Sequence, residues 1–162
     1  MKVGWKIIVA AVLVTVIGLC INFYAQTIQL KRELGQLYGN EVSEVAEYVS
    51  LLSGMTQEEL HAYADSDFAL MQSSKISDFS LNIKHEELSL LLLNTGHQLG
   101  KIQSLNEQEL NELQTNLRKL NLTLDVMTDE IGDKGLDWYD FVHDPNKGVL
   151  EIIDNQLALD YT

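Results

Sequence analysis

The uncharged run at residues 7–25 constrains this chain more than any other feature of its sequence. As an α-helix with a rise of about 1.5 Å per residue, the run is roughly 28 Å long, close to the thickness of the hydrocarbon core of a bilayer. Trp5 precedes the run and Phe23 and Tyr24 lie at its end, and aromatic residues are enriched at membrane interfaces. The run therefore predicts a transmembrane anchor.

Two local patterns argue that this segment is kept and not cleaved or lipidated. A signal peptidase site needs small residues in a small-x-small pattern, but Phe23 lies two positions before Ala25. A lipoprotein cysteine follows a small residue, whereas Leu19 precedes Cys20. We therefore expect an uncleaved anchor.

The charges that flank the anchor predict its orientation. Lys2, Lys6 and the α-amino group precede it, and Lys31 and Arg32 follow it. Because the more positive flank tends to stay in the cytoplasm, we expect residues 1–6 to form a short cytoplasmic N-terminus. The protein is then a single-pass membrane protein with an extracytoplasmic C-terminal domain, and the reverse orientation is the alternative.

The rest of the chain, residues 26–162, is long enough for one domain with a hydrophobic core. It contains all 24 Asp and Glu residues and 9 of the 11 Lys and Arg residues, which gives a formal charge of −15. Such a field repels nucleic acid and anionic lipid surfaces, so we expect neither as a partner.

The apolar residues of this domain recur at helical spacing, which predicts an all-α fold with an antiparallel, bundle-like arrangement. The anchor is expected to run directly into the first of these helices, with a bend either at Gly35 or at Gly39–Asn40, where helix propensity is poor. We read residues 73–83 as a loop that enters a helix. Helices are expected at residues 27–53, 57–72, 83–103, 105–131 and 149–158.

The helix expected at residues 105–131 has the clearest pattern, since its apolar positions alternate in spacing between three and four residues. This is an a/d seam that suits bundle or coiled-coil packing. Two capping boxes, Thr56 with Glu59 and Ser104 with Glu107, predict helix starts. The seam consists of Leu110, Leu113, Leu117, Leu120, Leu124, Met127 and Ile131.

The sequence contains no complete catalytic or metal-binding motif. Glu58 and His61 form one Glu-x-x-His pair, but di-iron bundles need a second pair and further carboxylates. Asp140 and His143 form a weaker pair, and His85 is expected at a solvated helix start. We therefore expect no enzymatic activity, no catalytic residue, no cofactor and no metal.

Two groups of residues are candidates for contacts, and the first lies on the anchor. Ala11, Thr15, Gly18 and Asn22 share one helical face. Small and polar residues there allow two membrane helices to approach closely and to form hydrogen bonds. The stripe predicts a homodimer through the anchor. In the alternative, Asn22 simply lies at the interface between membrane and water.

The second group lies in the aromatic stretch LDWYDF, residues 136–141. Trp138, Tyr139 and Phe141 alternate there with acidic residues such as Asp140, and aromatic rings with polar neighbours suit contacts with a protein or a glycan. We expect Tyr139 and Asp140 to form such a patch. In the alternative, Trp138 and Phe141 belong to the core.

The order of these segments resembles the N-terminal membrane-anchored region of YpeB-type spore-germination proteins. The resemblance rests on the anchor and the acidic helical segments, and on LNTGHQLGKI (93–102), LNEQELNELQ (105–114) and GLDWYDF (135–141). In that family repeat domains follow a similar segment, and the protein associates with a cortex-lytic enzyme; this chain ends at Thr162 without such repeats. The resemblance implies a protein partner and a role in sporulation or germination.

These observations predict a non-enzymatic membrane protein whose acidic helical domain binds, scaffolds or regulates a partner. The predicted location is the extracytoplasmic face of a bacterial membrane. A ligand-sensing helical bundle is the alternative, and a metal-binding or enzymatic bundle comes third.

Overall fold

The computed structural model describes residues 2–63, 67–132 and 134–159, and within them it contains α-helices, two short 3-10 turns and no strand. The expected all-α fold is confirmed. The 3-10 turns are Ser80–Asn82 and Ile102–Ser104. The helices are α1 (Lys2–Ser53), α2 (Gln57–Tyr63), α3 (Asp67–Phe79), α4 (Glu86–Leu99), α5 (Glu107–Ile131), α6 (Gly135–His143) and α7 (Lys147–Leu157).

Helix α1 has 52 residues and is about 78 Å long. Its first half, from Gly4 to Thr27, is exposed at every residue, and within the described chain it is the one helix long and apolar enough to cross a membrane. The second half packs into the bundle, where Val42, Val49 and Leu52 are buried. One continuous helix thus joins the candidate membrane span to the core of the domain.

Helix α5 lies against α1, α4 and α7 and supplies the centre of the core. The a/d pattern predicts its inward face correctly, because every seam residue from Leu110 to Ile131 is buried. Leu117 and Leu120 are completely inaccessible to solvent. The other face of the helix carries polar and charged residues, so the amphipathic pattern alone positions this element.

The first expected capping box is present at the start of α2. The Thr56 backbone N–H donates to Glu59 Oε2 over 2.8 Å, and the Glu59 backbone N–H donates to Thr56 Oγ1 over 3.3 Å. The hydrogen bond from the Thr56 backbone, followed by one from its hydroxyl, holds the pKa of the Glu59 carboxyl below its ordinary value.

The prediction that Ser104 and Glu107 form the second capping box is wrong. Asn106 caps α5: its side chain accepts from the Glu109 backbone N–H over 3.0 Å, and Glu109 Oε2 accepts from the Asn106 backbone N–H over 2.8 Å. Ser104 lies in a 3-10 turn held by the buried Ile102 and donates to the Lys101 carbonyl. The chain therefore enters α5 two residues later than the Ser104 spacing predicts.

Two further boundaries differ from the sequence prediction. Helix α3 continues to Phe79, and a 3-10 turn follows it, so much of the expected loop is helical. Phe79 and Ile83 are buried, whereas Leu81 is 83% exposed, which places the two inward residues four positions apart. The aromatic stretch forms a helix of its own, α6, which the hydrophobic pattern does not reveal.

Candidate interaction site at the crossing of α1 and α6

The two helices cross at glycines, where their backbones approach each other closely. A Cβ atom on Gly35 would lie 1.5 Å from the Gly135 carbonyl oxygen, and one on Gly135 would lie 2.3 Å from the Arg32 carbonyl oxygen. A Cβ on Gly39 would lie 2.8 Å from the Trp138 ring. Gly35 and Gly39, which poor helix propensity marks as bend positions, lie within one uninterrupted helix, and they make room for α6.

The aromatic stretch divides into inward and outward residues on α6. Trp138 is 3% exposed and Phe141 is 5% exposed, and their rings meet edge to face with centroids 6.1 Å apart. Trp138 Nε1 donates to the Gly132 carbonyl over 2.8 Å, which satisfies the buried indole N–H. These two candidate residues belong to the core of the domain.

Tyr139 is half-buried and lies at the contact between the two helices. Its ring stacks on His143 at 4.0 Å between centroids, and Lys31 Nζ lies 5.0 Å from its centroid. This is within the range of a cation–π interaction. Nothing in the local sequence links Lys31 to Tyr139, so sequence patterns do not predict this contact.

Asp140 is exposed and lines a groove of about 310 Å³. Three more carboxylates, from Glu130, Asp137 and Asp144, line the same groove, and Phe141 contributes to its apolar part. Several negative charges beside apolar surface suit a partner group that combines a cation with an apolar body. Of the four candidate interaction residues on α6, Asp140 is the one most accessible to a partner.

The stripe on the anchor lies in the exposed half of α1. Ala11, Thr15, Gly18 and Asn22 are all exposed, and a Cβ on Gly18 would have no neighbour within 4 Å. The Thr15 hydroxyl donates to the Ala11 carbonyl over 3.0 Å, so it has a partner within its own helix. Nothing in the described part of the chain covers this face.

His85 is buried, so the expectation of a solvated helix start is wrong. Its Nδ1 accepts from the Leu88 backbone N–H over 3.2 Å and caps α4, while its Nε2 lies 2.8 Å from Asp154 Oδ1. Because Nδ1 is an acceptor, the proton resides on Nε2 and is donated to the carboxylate of Asp154. His85 thereby joins α4 to α7.

The candidate metal ligands lie on different helices. Across residues 2–63, 67–132 and 134–159, no three His, Cys, Asp or Glu side chains are grouped so as to hold a metal ion. Glu58 and His61 lie on α2, whereas Asp140 and His143 lie on α6.

A second groove, of about 490 Å³, lies between α1 and α3. Tyr48 contributes to its wall together with Leu51 and Met71, which are 54% and 48% exposed. Glu44 and Lys75 form an ion pair at its edge. Sequence periodicity does not reveal this groove, because it depends on how two helices distant in sequence pack together.

Burial changes the proton affinity of two groups on this part of α1. Desolvation raises the pKa of the Glu41 carboxyl, and the amide of Asn82, 3.3 Å from Glu41 Oε2, opposes that shift. Burial and the neighbouring Tyr63 raise the pKa of the Tyr48 hydroxyl. Tyr48 is therefore neutral and acts as a packing residue beside the second groove.

No family model, curated protein or solved structure matches this chain.

Proposed function

We propose that this chain is a non-enzymatic, membrane-anchored helical protein that binds, scaffolds or regulates a protein partner at the extracytoplasmic face of a bacterial membrane. The architecture of α1 carries the proposal. Its exposed apolar half has the length of a bilayer span, and its other half packs into the bundle. A domain joined to its anchor by one continuous helix is held close to the membrane surface.

The surface of the domain supports a binding role. The groove lined by Glu130, Asp137, Asp140 and Asp144 concentrates negative charge on one side of α6. Charge complementarity steers association and sets specificity, so a partner with a cationic patch fits this groove best. The absence of a catalytic motif from the sequence supports binding over catalysis.

A reporter that is active only in the cytoplasm tests the location. Fused after Thr162, it should be silent in cells, whereas the same reporter fused before Met1 should be active. Strong activity of the fusion after Thr162 would reverse the orientation and move the proposed partner to the cytoplasm.

Crosslinking of the full-length chain in its native membranes tests the binding surface. The double variant Asp140→Asn and Asp144→Asn should lower partner capture about tenfold, since two charges are removed from the groove. The matched control, Glu112→Gln and Glu151→Gln, removes two exposed charges outside the groove and should capture the partner as the parent does. Equal capture by both double variants would refute the groove as the binding site.

The groove between α1 and α3 favours ligand sensing as the second candidate function. Its volume of about 490 Å³ lies within the roughly 300–1,000 Å³ that is common for small-molecule sites. A thermal-shift screen of the full chain against small ligands tests this candidate. A ligand that raises the melting temperature of the parent but not of a Leu51→Lys variant would support it.

A further inference from the structure

Charged side chains from α1 and α3 meet in a row along the contact between these two helices. Glu44 of α1 forms an ion pair with Lys75 of α3. One turn nearer the anchor, Glu41 Oε2 lies 3.3 Å from the amide nitrogen of Asn82, in the 3-10 turn that follows α3. The two helices are therefore antiparallel at this contact.

Asp78 adds a third carboxylate to the row. It follows Lys75 by three residues and precedes Asn82 by four, so the three residues share one face of α3 and its 3-10 extension. Asp78 Oδ2 accepts a hydrogen bond of 3.4 Å from the Ser74 hydroxyl within its own helix. We call Glu41, Glu44, Lys75 and Asp78 the charge row.

The negative charges of the charge row are only partly compensated, because it contains three carboxylates and a single lysine. That lysine, Lys75, pairs with Glu44. Lys84, the next lysine along the chain, donates to the carbonyl of His143 instead. Like charges close to each other repel, and here the repulsion acts across the contact between α1 and α3.

Glu41 is the member of the charge row whose proton affinity the fold changes. Burial raises the pKa of its carboxyl, the Asn82 amide opposes the shift, and the charges of Glu44 and Asp78 raise it further. A carboxyl with a raised pKa in the folded state takes up its proton there before it does in the unfolded chain. The fold therefore gains stability as pH falls through the raised value, and the gain is complete below the ordinary carboxyl pKa.

We infer that the charge row is an acid-responsive contact, in which protonation of Glu41 strengthens the packing of α3 on α1. The inference does not depend on the location or the partner proposed above. The groove between α1 and α3 lies next to the charge row, since Glu44 and Lys75 form its edge. Mild acid thus holds the two walls of that groove together more firmly.

Thermal unfolding of the full chain in an uncharged detergent, followed by circular dichroism, tests the inference. Glu41→Gln has the shape of the protonated carboxyl, and its amide oxygen can still accept from Asn82. At about pH 7.5 we expect this variant to melt about 2–3 °C above the parent. At about pH 4 the parent carboxyl is protonated as well, so the difference should nearly disappear.

Comparison of parent and variant at the same pH cancels the contributions of other carboxyls. Glu59 is one of these, and its lowered pKa makes the fold less stable in acid. The matched control is Glu47→Gln, which removes one carboxylate from an exposed position of α1 outside the charge row. It changes the net charge equally and should shift the melting temperature by about 1 °C or less at either pH.

A second carboxylate provides an independent measure of the repulsion. The stabilisation by Glu41→Gln at about pH 7.5 should be smaller in an Asp78→Asn background, because the two carboxylates repel each other only when both are charged.

Hydrogen exchange locates the effect in the fold. At equal pH the amides of α3 should exchange more slowly in Glu41→Gln than in the parent, whereas those of α7 should be unchanged. Equal slowing in both helices would place the effect outside the contact between α1 and α3 and overturn the inference.

The melting temperatures decide the inference in the same way. A Glu41→Gln variant that gains no more than Glu47→Gln at about pH 7.5 would overturn it. An advantage of the same size at about pH 4 would do so too, because it would assign the effect to the shape of the side chain and not to its charge. If Glu41→Gln does not fold, an NMR titration of the parent measures Glu41 directly, and an ordinary pKa there would overturn the inference.

Discussion

The substitution Gly35→Ala tests the crossing of α1 and α6 most directly. The added methyl group would lie 1.5 Å from the Gly135 carbonyl oxygen and 2.8 Å from the Tyr139 backbone nitrogen. A carbon and a carbonyl oxygen in contact are normally about 3.3–3.6 Å apart. Because both obstacles are backbone atoms, no side-chain rotation relieves the clash, and α6 has to move by about 2 Å.

The magnitude follows from the contacts that such a movement disrupts. Truncation of a buried Phe or Trp typically costs about 3–5 kcal/mol, and α6 contributes Trp138 and Phe141 to the core. Loss of about a third of both contributions costs roughly 2–3 kcal/mol. Replacement of a helical glycine by alanine returns up to about 1 kcal/mol. We therefore expect a net loss of about 1–3 kcal/mol in the free energy of unfolding.

Urea unfolding of the full chain in detergent micelles measures this loss. The chain has two tryptophans, Trp5 and Trp138, so a Trp5→Phe background leaves Trp138 as the fluorescent reporter of α6. A change in the midpoint at constant slope reports stability.

Two further substitutions on α1 provide a comparison for the stability cost of Gly35→Ala. Gly39→Ala meets the buried Trp138 ring at 2.8 Å and not a backbone atom, and a ring can adjust by a few tenths of an ångström at the expense of part of its packing, so its net cost should be smaller than that of Gly35→Ala, about 1 kcal/mol. Asn40→Ala, at an exposed position, should be neutral or stabilising by about 0.5 kcal/mol. If Gly35→Ala changes stability by less than about 0.5 kcal/mol, or costs less than Gly39→Ala, backbone contact does not govern the crossing.

Three more predictions concern the bundle itself. Leu117→Ala and Leu120→Ala should each destabilise the domain by about 2–4 kcal/mol, because both side chains are fully buried; values below about 0.5 kcal/mol in denaturant melts would show that the seam is not packed. Asn106→Ala should cost about 1 kcal/mol through loss of the α5 cap, and Ser104→Ala should cost clearly less. A larger cost for Ser104→Ala than for Asn106→Ala would show that Ser104 and Glu107 form the cap instead. The lowered pKa of Glu59 stabilises the fold above the ordinary carboxyl pKa, and this contribution is lost as pH falls through the lowered value; an NMR titration that finds Glu59 at its ordinary pKa would refute the cap.

The sequence predicts those elements of the fold whose information is local. The seam of α5 repeats over the whole helix. If the inward face were shifted by one residue, charged side chains would be buried, so only one assignment of the inward face is possible from Leu110 to Ile131. The cap at Thr56 and Glu59 is equally local, since all its partners lie within three residues. The start of α5 is less certain, because Ser104 and Asn106 both have an acidic residue three positions later. The 3-10 turn at Ile102–Ser104, with Ile102 buried, decides which of the two residues caps α5.

The sequence does not predict the crossing of α1 and α6, because a glycine within a helix has two opposite meanings. It weakens the helix, which favours a bend, and it removes a side chain, which permits close contact. Which effect decides at Gly35 depends on Gly135, a residue far away in the sequence and in a helix whose short pattern is dominated by aromatic residues. The same non-local packing places Lys31 beside Tyr139.

The net charge of the domain does not predict its partners either, because it does not describe where the charges lie. The total of −15 for residues 26–162 describes the field at distances greater than the domain itself. At contact distance, salt screens all but the nearest charges, so the arrangement of single side chains decides what a surface attracts. The packing of α6 beside the end of α5 collects Asp137, Asp140 and Asp144 with Glu130 in one groove. We therefore expect the affinity of the domain for a cationic group to be greatest at this groove, and not uniform over its acidic surface.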